Sequence, residues 1–304
     1  MLTVTLPTVE QCEQFGPVPE GVRLVAWDVT TDAASPADID AVLVPPYFFS
    51  GFELLHKLPN LRFVQLPSAG VEHALPHLPA QAVVANGRGI HDDETAELAI
   101  GLALASLRGI DDAVRDREVQ RWESVLRPSL ADRKVLLVGF GSIGHEIAAR
   151  LETFKVDLTV VARTARSEDG RDVHGFDGLP ALLPSAEVVI LIVPLTDETR
   201  GLVDAAFLAA LPDGALLVNV ARGGVVDTDA LVAELSSGRI SAALDVTDPE
   251  PLPAGHPLWS VPNLILTPHV GGFTTATDPR VLALMRRQVA ALANGEEPEN
   301  LVAR

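Results

Sequence analysis

Three polar residues in the second half of this 304-residue chain have the types needed to reduce a carbonyl. Arg222 stands in Asn219-Val220-Ala221-Arg222-Gly223-Gly224. Glu250 stands in Asp245-Val246-Thr247-Asp248-Pro249-Glu250-Pro251, and His269 in Leu266-Thr267-Pro268-His269-Val270-Gly271-Gly272. Each lies at or just after a run of strand character. In an open parallel sheet, ligands bind beyond the carboxyl ends of the strands, so all three are expected at the same edge. A histidine delivers a proton to oxygen near neutral pH as hydride reaches carbon. A neighbouring carboxylate favours the imidazolium and fixes the ring tautomer. A guanidinium clamps a substrate carboxylate and polarises a keto oxygen. Singly, each has a plainer reading, as a loop histidine before Gly-Gly or a turn arginine. As a set they suit hydride chemistry on a keto acid.

A hydride needs a carrier, and Gly139-Phe140-Gly141-Ser142-Ile143-Gly144 fits the pattern G-x-G-x-x-G. The pattern alone is weak, but apolar residues lead in and an amphipathic helical stretch leads out. Gly139 permits the tight turn, Gly141 lets the backbone approach a pyrophosphate, and Gly144 lets helix and strand pack closely. The amides of Ser142 and Ile143 then point at the anion from the helix N-terminus. Many such folds carry an Asp or Glu at the end of the next strand, on the adenosine ribose. Here that strand ends Val161-Ala162-Arg163-Thr164-Ala165-Arg166, with no carboxylate and with Arg163 and Arg166 bracketing Thr164. Guanidinium groups bind a 2′-phosphate that a carboxylate would repel. NADP is therefore expected over NAD, with Arg163 the best-placed cation.

The elements that must position these groups read as two blocks. In the first hundred residues, Val22 to Trp27, Ala41 to Val44, Leu61 to Leu66 and Ala82 to Ala85 have strand character, and Gly51 to Leu58 has helical spacing. A long, nearly all-apolar helix is expected over about Asp93 to Gly109, followed by a charged, solvated exit from Asp111 to Glu123. The second block opens with strand Val135 to Gly139, helix Ile143 to Phe154 and strand Leu158 to Ala162. Strands follow at Val188 to Val193, Ala215 to Val220, Ala242 to Val246 and Leu264 to Thr267, giving a doubly wound sheet over about Arg133 to His269. Residues Asp278 to Ala293 are again helical.

Composition narrows the classes. Lys and Arg number 23 against 41 Asp and Glu, a net charge of −18, which disfavours nucleic acid and anionic membrane surfaces as partners. The single cysteine, Cys12, cannot close an internal disulfide, so a reducing compartment is favoured. The first fifteen residues lack a basic start and an apolar run, and no apolar stretch reaches the ~20 residues of a membrane span. A cytoplasmic protein is expected, and no metal is called for.

With these motifs in hand, the sequence resembles the D-isomer-specific 2-hydroxyacid dehydrogenase family. The resemblance covers nearly the whole chain. It is carried by Leu66-Pro67-Ser68-Ala69-Gly70-Val71, the Val138 to Gly144 turn, Val193-Pro194-Leu195-Thr196, Val218 to Gly224, Ala243-Leu244-Asp245-Val246, Glu250-Pro251-Leu252-Pro253 and Thr267-Pro268-His269, in the family's order. It implies two doubly wound α/β domains. One is a flavodoxin-like substrate domain over 1–98 plus 278–304; the other is a Rossmann cofactor domain over 99–277. It implies that Arg222, Glu250 and His269 are catalytic, and that backbone amides of Ser68, Ala69 and Gly70 hold the substrate carboxylate. Asp245 falls on a nicotinamide-carboxamide contact. Val193, Pro194, Val220, Ala221, Gly271 and Gly272 join Gly139 to Gly144 and the Arg163-Thr164-Arg166 stretch as cofactor positions. A homodimer paired through the cofactor domains is implied as well. Thr247 replaces the family's aromatic after Asp-Val, which would loosen local packing. Glu250, where formate-oxidising relatives carry Gln, argues against that activity.

The expected reaction is hydride transfer between NADPH or NADH and a small or apolar 2-keto or D-2-hydroxy acid. A dinucleotide-sensing, corepressor-like binding protein is the alternative, since such relatives can retain the triad. The aromatic run Pro45-Pro46-Tyr47-Phe48-Phe49 is expected either to meet an apolar substrate group or to pack Phe48 and Phe49 beneath the following helix. The Ser68 to His73 loop carries no Lys or Arg for a second anionic group, leaving Arg88 and Arg280 as the exceptions.

Overall fold

The structure, a computed structural model, describes residues 1–45, 51–72, 74–168 and 170–302. The aromatic run from Tyr47 to Phe49, and His73, lie outside the described residues. The chain forms two units, Met1–His91 with Thr275–Arg304, and Asp92–Thr274. The division falls at 91/92 and 274/275 instead of 98/99 and 277/278. The reason at the first crossing is that helix α2 starts at Asp92 and packs as one piece in the second unit.

The first unit is built on strands β1 (Leu2–Leu6), β2 (Val22–Ala26), β3 (Ala41–Leu43), β4 (Phe63–Gln65) and β5 (Val83–Ala85), with helix α1 (Val9–Gln14) after β1. They form one parallel sheet in the order β2-β1-β3-β4-β5. Strand β1, unanticipated from the sequence, is buried at every residue, including Thr3 and Thr5. An inner parallel strand is covered on both faces, so its Leu-Thr alternation carries no solvent side. The Gly51 to Leu58 stretch forms a tighter 3₁₀ segment, Phe52–Lys57, which buries Phe52 and Leu55.

Helix α2 (Asp92–Arg108) opens the second unit and α3 (Ile110–Glu118) follows it. The charged exit is thus helical through Glu118, with no buried residue, as its composition of Asp and Arg allows. The sheet comprises β6 (Lys134–Val138), β7 (Asp157–Val161), β8 (Arg166–Glu168), β9 (Arg171–His174), β10 (Val188–Leu191), β11 (Leu216–Asn219), β12 (Ser241–Leu244) and β13 (Leu264–Leu266). Helices α4 (Ser142–Glu152), α5 (Leu179–Leu182), α6 (Ala205–Ala210) and α7 (Thr228–Ser237) connect them. The order is β13-β12-β11-β10-β6-β7-β9-β8, parallel except for β8 against β9. That edge hairpin escaped the sequence reading because its strands are short and mostly polar.

Apolar side chains cover both faces of this sheet. Ala99, Ala103 and Leu107 of α2 pack with Ile147 and Leu151 of α4 on one face, against Leu137, Ile190 and Val218. Phe207, Leu208, Leu231 and Leu235 of α6 and α7 cover the other. The chain leaves β6 toward β7 on one side and reaches β10 on the other, so the strand order reverses beside β6, where open sheets bind nucleotides.

The last helix, α8 (Thr277–Asn294), returns to the first unit. Val281, Met285 and Val289 pack on Val4, Phe63 and Ala85. Buried Gln288 donates to Gln65 Oε1 and to the Glu299 carbonyl, and accepts from the Glu299 amide. The helix is thereby tied to β4 with its buried amide satisfied on both sides.

Candidate active site

Parallel strands put their carboxyl ends on one edge. Gly139 follows β6, Ala162 follows β7, Ile192 follows β10, Val220 follows β11, Asp245 follows β12, and His269 lies three residues past β13. Most of the second-unit residues singled out in the sequence therefore share one edge.

Two loops of that edge are pressed backbone to backbone. A Cβ on Gly223 would lie 1.9 Å from the Thr247 carbonyl oxygen, so only glycine fits. This contact brings the Arg222 loop against the loop that carries Glu250. Buried Asn219 shapes the first loop, donating to the Arg222 carbonyl at 3.1 Å and accepting from the Ala221 amide at 3.0 Å. Arg222 Nη1 donates to the Ala221 carbonyl at 2.7 Å. Thr247, in the aromatic position, donates its hydroxyl to the Pro249 carbonyl at 2.9 Å.

His269 has a left-handed backbone, φ 53°, unusual for a residue with a side chain. Buried Asp245 holds it there. One carboxylate oxygen accepts from the Thr267 hydroxyl at 2.5 Å and the Val270 amide at 2.9 Å. The other accepts from the Gly271 amide at 2.9 Å, and the Asp245 carbonyl accepts from the His269 amide at 2.8 Å. Asp245 thus spends both oxygens on the His269 loop. The sequence carried no sign of this duty, because it depends on which amides a curled loop turns inward.

His269 Nδ1 is hydrogen-bonded to Glu250 Oε1. Burial pushes the Glu250 carboxyl up. The His269 hydrogen bond and charge, the Thr247 backbone and the Arg222 guanidinium outweigh it, leaving the group below its ordinary range. An ionised carboxylate only accepts, so Nδ1 carries a hydrogen and Nε2 is left for chemistry. Arg222, Glu250 and His269 therefore form one electrostatic group.

The glycine turn fits a dinucleotide. Gly139 has φ 115°, and a Cβ there would strike the Ile192 carbonyl at 2.4 Å. A Cβ on Gly141 would meet nothing within 4 Å, leaving the turn open for a ligand. Helix α4 has no side-chain cap and no acidic residue in its first turn, so its leading amides are available to an anion. Beyond β7, Arg163 Nε pairs with Glu198 at 2.9 Å. Arg166 donates to Glu168 at 2.7 Å and to the Phe140 carbonyl at 3.0 Å, while Thr164 is exposed. Both carboxylates went unremarked in the sequence, since neither lies at the end of a strand expected from it. Val193, Val220, Ala221 and Gly271 are buried at the same edge, with Pro194 and Gly272 beside them.

The remaining candidates lie in the first unit. In the Ser68 to Gly70 loop the carbonyls are engaged: Ser68 accepts from the Gly87 amide, Ala69 from Asn86 Nδ2, and Gly70 from the Ser68 hydroxyl. A loop that commits its acceptors internally suits one that offers amides to an anion. Arg88 is exposed, and Arg280 donates to the Ala276 carbonyl. Among the described residues no group of three or more His, Cys, Asp or Glu is placed to hold a metal ion, and no helix is long and apolar enough to cross a membrane.

Comparison with known proteins identifies the family. Residues 100–271 match the family model described as D-isomer specific 2-hydroxyacid dehydrogenase, NAD binding domain. A glyoxylate reductase of Thermofilum pendens is 35% identical over 261 residues, covering 82% of this chain and 77% of that protein. A human glyoxylate reductase/hydroxypyruvate reductase is 32% identical over 247 residues, covering 78% and 75%. Among solved structures, a D-isomer specific 2-hydroxyacid dehydrogenase of Xanthobacter autotrophicus Py2 in complex with NADPH and MES is similar. It has a TM-score of 0.83, 30% identity, and coverage of 99% and 98%. An NADPH-dependent glyoxylate/hydroxypyruvate reductase of Sinorhizobium meliloti in complex with NADP and sulfate has a TM-score of 0.83 at 25% identity, covering 99% and 98%.

Proposed function

This chain belongs to the D-isomer specific 2-hydroxyacid dehydrogenase family and is an NAD(P)-dependent 2-hydroxyacid dehydrogenase; from that premise we propose that Arg222, Glu250 and His269 carry its reaction. The observation that supports this most is the bond from His269 Nδ1 to a carboxylate held ionised beside Arg222. When bound, the reduced nicotinamide supplies the hydride. Arg222 binds the substrate carboxylate and polarises the keto oxygen. His269 Nε2 gives that oxygen its proton, and Glu250 balances the imidazolium and keeps the ring turned. Asp245 sets the His269 loop; its Oδ2, which takes the Gly271 amide as one donor, keeps a lone pair able to accept from a carboxamide. The amides of Ser68 to Gly70 take part of the substrate carboxylate. A sensor that binds the dinucleotide without turnover has no support in these relatives.

We read the substrate as a small or apolar 2-keto monocarboxylate, in keeping with relatives named for glyoxylate and hydroxypyruvate. NADPH is preferred over NADH, on the strength of Arg163 and Arg166 and the missing carboxylate at Ala162. A homodimer through the second unit is supported by large apolar side chains left exposed around α3, with Trp122 at 97% and Leu126 at 99%. The lone Cys12 and acidic charge suit the cytoplasm.

The test is a panel of 2-ketoisocaproate, phenylpyruvate, glyoxylate, phosphohydroxypyruvate and oxaloacetate with both cofactors, on the natural protein and two variants. His269→Ala is expected to lower kcat by ~10²–10⁴-fold. Arg222→Ala is expected to damage both KM and kcat, since it acts on bound and reacting states. Near-natural kcat/KM in both variants overturns the assignment, and a clear win for either doubly anionic substrate overturns the reading of the pocket.

A further inference from the structure

The two arginines beyond β7 are not idle. Arg163 Nε meets Glu198 Oε2 at 2.9 Å, with both side chains about three-fifths exposed. Glu198 sits on the Thr196 to Arg200 turn after β10, pinned by the Thr199 hydroxyl on the Pro194 carbonyl at 2.6 Å. The sheet order runs β10-β6-β7, so this ion pair joins the two loops that flank the exit of β6, where the glycine turn begins. Arg166 is fixed more firmly. Its Nη2 donates to the Phe140 carbonyl in the glycine turn at 3.0 Å and its Nε to Glu168 Oε2 at 2.7 Å. Glu168 Oε1 lies 3.2 Å from His145 Nε2, and the His145 ring stacks on Phe140 at 4.0 Å between centroids. The guanidinium of Arg166 lies over that same phenyl ring.

We propose that Glu168 and Glu198 set the cofactor choice of this enzyme, each occupying as a resident counter-anion an arginine that a 2′-phosphate on the adenosine ribose claims. The inference rests on the reading of Arg163 and Arg166 as the 2′-phosphate cations. A carboxylate brings one negative charge and a phosphate ester up to two, so the phosphate wins a surface arginine from its glutamate and leaves that glutamate nearby, repelling it. A 2′-hydroxyl offers no such competition, and NADH is bound with both ion pairs intact. The two glutamates therefore weigh against NADPH alone, and each arginine stays ordered when the phosphate is absent.

Glu198→Gln and Glu168→Gln keep size and a hydrogen-bond acceptor and remove only the charge. Binding is read by the fluorescence of NADPH and NADH titrated onto the whole enzyme, and by calorimetry with 2′,5′-ADP against 5′-ADP, which needs no nicotinamide and no turnover. Each variant is expected to tighten NADPH and 2′,5′-ADP by about three- to tenfold and to leave NADH and 5′-ADP within twofold. The gain should fade at high salt. Arg163→Ala and Arg166→Ala serve as controls. If they weaken NADPH while neither glutamine variant tightens it, or if the glutamine variants tighten both cofactors alike, the counter-anion role is overturned and the arginine reading stands. If neither alanine variant weakens NADPH, the arginine reading itself falls, and the counter-anion role with it.

Discussion

Replacing Asp245 by asparagine perturbs one buried group that reaches His269, the proposed proton donor, through its loop. The carboxylate accepts three hydrogen bonds, from the Thr267 hydroxyl and the Val270 and Gly271 amides, and is 3% exposed. Asparagine keeps the volume but turns one oxygen into a donor. If the remaining oxygen faces Thr267 and Val270, the new NH₂ confronts the Gly271 amide, donor against donor. A hydrogen bond to a buried charged group contributes about 1.5–3 kcal/mol, and the orphaned amide adds to the loss. The expected total is about 2–4 kcal/mol. The left-handed conformation of His269 costs about 1–3 kcal/mol and persists only while its surroundings impose it. The loss is of the same size, so the loop relaxes. Displacing a reacting group by roughly 1 Å costs about 100-fold in rate. Asp245→Asn should therefore lower kcat by about 100-fold and the melting temperature of the second unit by about 5–15 °C. Steady-state kinetics in the natural and His269→Ala backgrounds closes a double-mutant cycle. If Asp245 acts by placing His269, its loss should cost less than about threefold once the imidazole is gone. A full 100-fold loss in the His269→Ala background, or none in the natural one, refutes the reasoning.

Other perturbations read the same edge. Gly223→Ala puts a methyl 1.9 Å from the Thr247 carbonyl, so the Arg222 and Glu250 loops must part; a lower melting temperature and a raised KM are expected, and natural values for both would contradict the close approach. Glu250→Gln tests linkage: the carboxyl is held below its ordinary 4.5, so its contribution is present above that pH and lost as pH falls through the lowered value. The stability gap between natural and variant enzymes should be constant near neutrality and close below about pH 4.5. It should not exceed about 1 kcal/mol, because the side chain is 39% exposed and screened by solvent. A gap that widens as pH falls contradicts the sign. Trp122→Glu with Leu126→Glu should convert a dimer to a monomer in light scattering, and an unchanged mass removes that surface from the interface.

Much of this protein is decided locally and so is legible in the chain. Apolar runs of strand length and a glycine turn with no Cβ at Gly139, Gly141 and Gly144 specify a nucleotide fold, since periodicity and glycine sterics need only neighbours in sequence. Arg222, Glu250 and His269 could be named because strand ends are visible and their chemistry is distinctive. Other features depended on distant partners. Strand β1 hid because burial on both faces erases alternation, and the β8–β9 hairpin hid because its residues are polar. Asp245 had a sequence position but no visible duty until the loop of His269 curled its amides around it. Glu168 and Glu198 looked like two acids among forty-one Asp and Glu. Only the sheet order β10-β6-β7 brings Glu198 to Arg163, and only the hairpin sets Glu168 between Arg166 and His145. Residue types fix which reactions are possible, whereas the pairing of charges far apart in sequence is set by strand order, which no local pattern encodes.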